Sequence, residues 1–256
     1  MLALVCRPRF SKHSIALTPR VLTCAFTTSV CASAAKSGSS QRWLRRQRED
    51  AYTRQATADG YRARSALKLC ALDDKHRFLR AGAACVDCGA SPGGWSQVAA
   101  ERIAATTAAD GAHASGVVVA VDLAPMQPLP GVHFVHGDFT EAAVQARVNA
   151  HLPGGQADVV LSDMAPAFSG KLTAASAISA TELCEAAVAF AEQTLRKDGI
   201  FICKVHATRG FAMHWRPLKR RLRQQFRSVR VEKPAASRQA SSESYLVCLG
   251  WKGVDA

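Results

Sequence analysis

Between residues 84 and 205 the chain carries short apolar runs at 84–88, 116–121, 132–135, 157–162 and 200–205, each ending at a glycine, an aspartate or a histidine. Runs this short and mostly apolar, without strict alternation, suit strands buried on both faces. The intervening stretches carry apolar residues at helical spacing or good helix formers. Tyr61 to Leu72 reads as a helix ahead of the sheet, 95–105 as the helix after the first strand, a further helix starts at Thr140, and a long one covers 175–196. The last of these is expected to stop at Lys197-Asp198-Gly199, with the glycine just past the final turn. A basic amphipathic helix over 211–226 and two closing strands, 228–231 and 245–249, joined by the polar loop 233–242, complete the pattern. Strands alternating with helices predict an α/β domain.

The turn after the first strand carries the chemistry. Val86-Asp87-Cys88-Gly89-Ala90-Ser91-Pro92-Gly93-Gly94-Trp95-Ser96 runs from strand end through glycines into a helix start. A dinucleotide fingerprint is G-x-G-x-x-G, whereas here three residues separate Gly89 from Gly93-Gly94. The spacing favours a ligand that needs close backbone contact but no diphosphate cradle, such as S-adenosylmethionine; an ordinary strand-to-helix turn is the alternative.

Further polar residues stand at strand ends. Asp122 closes the second strand, where two acceptor oxygens suit vicinal ribose hydroxyls. Its distance from Gly89 exceeds the usual interval of about 20 residues, an excess assigned to the Ala-rich loop 106–115. Asp138 could accept from an adenine amine or cap the helix at Thr140. Asp163 follows the fourth strand, and Lys204 lies inside the run Phe-Ile-Cys-Lys-Val, a costly place for a lysine without a partner or a function.

The net charge of +13 points to a polyanionic partner. Part of it belongs to a leader: residues 1–48 contain nine Lys or Arg and no acid, which leaves +4 for the rest. Residues 1–40, rich in Ser, Thr, Ala and Arg, have the composition of a mitochondrial or plastid transit peptide, with a disordered RNA-binding tail as the alternative. The mitochondrial matrix is the expected location. A basic extension over 41–60, with Trp43 inside the run Arg42 to Arg48, suits phosphate contact with base stacking, or simply a solvated helix face. No apolar run approaches the ~18 residues of a membrane span. The nine cysteines are scattered and read as reduced thiols. Cys85 and Cys88 lie three apart on one strand, hence on opposite faces, and are expected to be core thiols.

Taken together, the turn from Asp87 to Ser96, Val121-Asp122-Leu123, Gly137-Asp138-Phe139, Ser162-Asp163-Met164-Ala165-Pro166, Lys204-Val205 and Ser237-Arg238-x-x-Ser-x-Glu243-x-Tyr245 resemble the FtsJ/RrmJ family of S-adenosylmethionine-dependent ribose 2′-O-methyltransferases. The resemblance runs from about Tyr61 to Trp251 and implies a single Rossmann-like methyltransferase domain at 61–256, seven-stranded and mostly parallel with an antiparallel last strand. It implies a catalytic tetrad of Lys68, Asp163, Lys204 and Glu243, and cofactor contacts at Gly89, Gly93, Gly94, Trp95, Asp122, Asp138 and Asp163, with no metal. The sulfonium methyl is already an activated electrophile, so the enzyme must align a 2′-hydroxyl and remove its proton, with Lys204 as the group that does both. Ser91 stands where the family commonly has Ala, Cys88 where it has an aliphatic residue, and His206-Ala207-Thr208-Arg209 where it often has an aromatic and Gln.

The resemblance implies methylation of a uridine or guanosine ribose in mitochondrial large-subunit rRNA. The partners would be the rRNA in its ribosomal precursor and assembly-factor proteins, the chain being monomeric outside the ribosome. The alternatives are a ribosome-assembly factor of the same fold with little or no catalysis, and a tRNA or cap 2′-O-methyltransferase. A nicotinamide oxidoreductase is disfavoured by the glycine spacing.

Overall fold

A computed structural model describes residues 50–104, 116–165, 174–206, 209–238 and 241–253, with side chains from 180 and 216 onward in the helices that open at 174 and 209. The leader, the basic run 42–48 and the loop 106–115 lie outside the described residues. Among the described residues no helix is long and apolar enough to cross a membrane.

In chain order the elements are α1 (Ala51–Ala58), α2 (Ser65–His76), β1 (Ala84–Cys88), α3 (Gly94–Ile103), β2 (Val117–Asp122), β3 (Val132–His136), α4 (Ala142–Ala150), a 3-10 turn (Pro153–Gly155), β4 (Ala157–Ser162), α5 (Ala174–Thr194), β5 (Leu195–His206), α6 (Arg209–Gln225), β6 (Phe226–Glu232) and β7 (Glu243–Trp251). The strands form one seven-stranded sheet in the order β3-β2-β1-β4-β5-β7-β6. β1 to β5 pair in parallel, and β7 lies antiparallel to both β5 and β6. The α/β class, the seven strands and the antiparallel last strand therefore stand as expected.

Every residue of β1 is buried because helices cover both faces. Val86 and Cys88 face a cluster that includes Phe190 of α5 and Leu222 of α6, while Cys85 faces Leu69 of α2 and Val98 of α3. The C-x-x-C pair is thus split across the sheet, as a two-residue period requires, and both thiols are free.

Helix α2 starts at Ser65 and not at Tyr61, α4 starts at Ala142 and not at Thr140, and three further boundaries differ where a strand begins. The helix over 175–196 gives way to strand at Leu195, and the Lys197-Asp198-Gly199 stop is a bulge inside β5: Ala157 pairs with Leu195 but Val159 with Ile200. Asp198, not Gly199, takes the left-handed backbone, at φ 67°. Phe226 opens β6 instead of closing α6, because its ring packs on Trp251 of the adjacent strand, centroids 5.1 Å apart. β7 begins at Glu243, two residues early, so this carboxylate is held on a strand and not in a loop.

Candidate active site

Strand order reverses between β1 and β4, and in open α/β sheets the crevice beyond the carboxyl ends at that point takes the ligand. A cavity of about 380 Å³ lies there, lined by Gly89, Asp122, Asp138 and Asp163 among polar positions and by Val121, Leu123, Phe139, Met164 and Leu183 among apolar ones. Gly89 is fixed by two constraints: its φ is +74°, and a Cβ would sit 2.2 Å from Met164 Cγ. Leu123 is 67% exposed, an apolar wall open to solvent.

The carboxylates keep acceptor capacity for a ligand. Asp122 Oδ2 accepts from the Ser91 backbone N–H at 2.8 Å and Oδ1 from that of Ala124 at 2.7 Å, one bond each, and a carboxylate oxygen can accept two. Asp138 does not cap α4, which starts at Ala142 with Glu141 at its N-cap. Instead its Oδ1 accepts from the backbone and hydroxyl of Thr140, at 2.9 and 2.7 Å. An adenosyl group with an amino-acid tail fits this wall: acceptors for hydroxyls and an amine, apolar surface for a ring, and anions beside a sulfonium.

Gly93, Gly94 and Trp95, also expected as cofactor contacts, do not line this cavity. They hold the turn against the chain ahead of α2. A Cβ on Gly93 would meet Met126 Sδ at 2.9 Å and Arg62 Nη1 at 3.1 Å, and one on Gly94 would meet Ala63 Cβ at 3.2 Å. Trp95 is buried and its indole N–H donates to the Ser65 carbonyl at 2.9 Å. Arg62 clasps the far side of the turn, donating to the Gln127 and Pro128 carbonyls at 2.6 and 2.7 Å.

The structure brings Lys68, Asp163, Lys204 and Glu243 together as two ion pairs. Lys68 Nζ on α2 lies 2.8 Å from Glu243 Oε2 on β7, and Lys204 Nζ on β5 lies 3.2 Å from Asp163 Oδ1 while donating to the Asp163 carbonyl at 2.5 Å. Tyr245 joins them. Its hydroxyl donates to Asp163 Oδ1 at 2.8 Å, its ring centroid is 6.0 Å from Lys68 Nζ, and it packs on Trp95 at 5.6 Å. Asp163 belongs both to this cluster and to the cavity wall.

Burial pushes the Glu243 carboxyl up, but the Lys68 ammonium outweighs it and holds the group below its ordinary value. Beneath the turn, Asp87 is fully buried; desolvation pushes its pKa up to about 7 against the hydrogen bond from Ser96 Oγ at 2.7 Å. Burial, then the Lys204 charge, lowers the pKa of His206, which pairs in register with Glu243.

Sequence reasoning gave no role to Tyr245 or Met164. The signal for Tyr245 was available: Glu243 and Tyr245 are two apart, so on a strand they share a face. Nothing local marked Met164 as the residue that makes Gly89 obligatory.

A doubly wound sheet with a crevice at its switch point, walled by acids and rimmed by paired lysines, places the protein in the Rossmann-like class of α/β folds. The comparisons narrow this. The family model for FtsJ-like methyltransferases matches residues 61–251, and the chain belongs to that family. It is 42% identical over 212 residues to the ribosomal RNA large subunit methyltransferase E of Azoarcus sp. (strain BH72), covering 83% of this chain and 97% of that one. With the protein of the same name from Nitrobacter hamburgensis it shares 45% over 218 residues, covering 85% and 90%. A solved ribosomal RNA methyltransferase from Plasmodium falciparum superposes with a TM-score of 0.62 at 28% identity, covering 75% of this chain and all of that one.

Proposed function

We propose that this protein is an S-adenosylmethionine-dependent methyltransferase that modifies a ribose 2′-hydroxyl of large-subunit ribosomal RNA. The observation that carries the reading is the shared position of Asp163, whose carboxylate lines the cavity and also pairs with Lys204. Methyl donor and acceptor would thus meet at one residue. The relatives named for ribosomal RNA methylation support the substrate class.

The bound cofactor supplies an electrophilic methyl group; the chain supplies alignment and the route for the proton. Asp122 and Asp138 would hold the cofactor's hydroxyl and amine donors, and Phe139, which is buried, would screen its ring from water. Lys204 orients the ribose hydroxyl and, as the neutral amine, takes its proton at Nζ to become the ammonium, with Asp163 fixing that amine through both its carbonyl and its carboxylate. Lys68 and Glu243, neutralising each other at 2.8 Å, align the sugar. Arg216, Arg220 and Arg223 are exposed on α6 and have no carboxylate partner among the described residues, which suits contact with the RNA backbone.

Methyl incorporation into ribosomal RNA precursors by the wild type and by Lys204→Ala tests the reading. The expected result is ribose methylation at one nucleotide, lost in the variant with cofactor affinity retained. Near-normal turnover of Lys204→Ala rejects the role of the lysine. Cofactor and RNA binding without any transfer by the wild type would favour the assembly-factor reading. On the acid-free composition of residues 1–48 we also propose action in the mitochondrial matrix; a reporter fused to that segment should be imported, and its retention in the cytosol would refute this.

A further inference from the structure

Asp50 lies ahead of the stretch that the family model matches, yet it is the centre of a clamp. Its Oδ1 caps α1, accepting from the Tyr52 and Thr53 backbone N–H groups at 3.1 and 3.3 Å. Its Oδ2 pairs with Arg64 Nη1 and with Arg238 Nε, the latter at 3.0 Å. Arg64 also donates through Nη2 to the Ala236 carbonyl at 2.5 Å.

These contacts join the start of α2 to the loop before β7, ahead of the Lys68–Glu243 pair that links the same two elements further on. Arg64 is the N-cap residue of α2, and Lys68 follows about one helical turn later. Ala236 and Arg238 belong to the loop between β6 and β7, and Glu243 opens β7 directly after it. That loop is stapled internally by Lys233 Nζ on the Ser241 carbonyl at 2.8 Å, and Ser241 Oγ accepts from the Glu243 N–H at 3.2 Å. The loop's described residues are thus tied to one another on both sides of Glu243's entry into β7, so where Ala236 and Arg238 are anchored bears on where Glu243 sits. Two guanidinium groups share the one carboxylate. Without it they repel each other, and Arg238, 42% exposed, is free to turn to solvent. The Asp50 carboxyl is correspondingly held below its ordinary value, the two arginines outweighing its burial.

We propose that Asp50 is a positioning residue for the proposed reaction, a clamp that sets the Lys68–Glu243 pair by holding the start of α2 against the loop before β7. The proposal rests on the role assigned to that pair above.

Asp50→Asn keeps the helix cap, since Asn caps as well as Asp, and removes the charge that holds the two arginines. Its kcat should fall about tenfold, as for a partly buried charged contact worth ~1.4 kcal/mol. Cofactor affinity should stay within about twofold, and Asp50→Glu should restore most of the rate. The discriminating measurement is the same change in a Glu243→Gln background. A clamp that acts through Glu243 has nothing left to position there, so Asp50→Asn should alter kcat by less than about twofold.

An equal tenfold loss in that background overturns the proposal. So does a kcat for Asp50→Asn within twofold of wild type, or a loss of cofactor affinity in step with the rate. If Asp50→Asn fails to fold, Arg238→Gln opens the clamp from its other end and is held to the same outcomes. If the wild type transfers no methyl group, the function reading fails and the clamp is judged by hydrogen exchange over residues 233–245, which should quicken in Asp50→Asn; unchanged exchange refutes it.

Discussion

Asp87 gives the sharpest expectation, because a buried acid beneath the ligand turn makes stability depend on pH in a defined direction. Its side chain is fully buried on the α2–α3 side of β1, with one hydrogen bond, from Ser96, and its pKa is raised to about 7. In the unfolded chain an aspartate titrates near 3.9. Below about pH 4 both states are protonated and the contribution is intact. Between about 4 and 7 the native state holds a proton that the unfolded state has lost, so stability falls as pH rises, by about 1.4 kcal/mol per unit. Above about 7 the contribution is gone, a total of roughly 4 kcal/mol. Asp87→Asn cannot ionise and still accepts from Ser96. Urea unfolding of both proteins at pH 5 and pH 8 isolates the residue, since other titrations cancel in the difference. The stability of the variant relative to wild type should rise by about 3 kcal/mol from pH 5 to pH 8. A difference that does not change with pH would refute the argument, and one of opposite sign would mean that Asp87 is held ionised.

Three other outcomes follow from the geometry. Gly89→Ala places a Cβ 2.2 Å from Met164 Cγ at a φ of +74°, so Met164 must move off the cavity wall; calorimetry should show cofactor affinity down at least about tenfold beyond a strain of ~1–2 kcal/mol. Gly131→Ala, at φ +72° with nothing within 4 Å, is the control: it should carry the strain alone in thermal unfolding and leave cofactor affinity unchanged. Tyr245→Phe deletes the 2.8 Å hydrogen bond to Asp163 while its ring still packs on Trp95; a bond to a charged acceptor is worth ~1.5–3 kcal/mol, so kcat should fall about ten- to a hundredfold, and an unaltered kcat would remove Tyr245 from the site. Arg216→Glu with Arg220→Glu should weaken RNA binding and flatten its dependence on log salt by roughly 1.5, about 0.7–0.9 per lost phosphate contact, without changing cofactor affinity; an unchanged slope would place the RNA elsewhere.

How far the site could be read in the sequence depended on whether its residues are defined locally. Gly89, Asp122, Asp138 and Asp163 each follow or end a parallel strand, and all four line the one cavity because those strands end side by side at the switch point. Gly93-Gly94-Trp95 belong to the same motif and also pack it against residues 62–65 at the start of α2. Sequence spacing alone cannot separate a glycine that admits a ligand from one that admits a neighbouring side chain. The helix end expected at Gly199 failed for a related reason: a glycine after a helical run is a stop signal, but β4 pairs with Leu195 and draws those residues into a bulged strand.

The order of apolar runs and turns was enough to settle the α/β class and the split of Cys85 from Cys88, since both depend on periodicities of the backbone itself. Partnership was decided only in three dimensions. Lys68 pairs with Glu243 and Lys204 with Asp163, and Tyr245 lies between them because β7 turns back antiparallel beside β5. Asp50 reaches Arg238 across 188 residues of chain. Such pairings follow from which strands lie side by side and from the low dielectric that makes buried charges seek each other, and neither is written in local sequence.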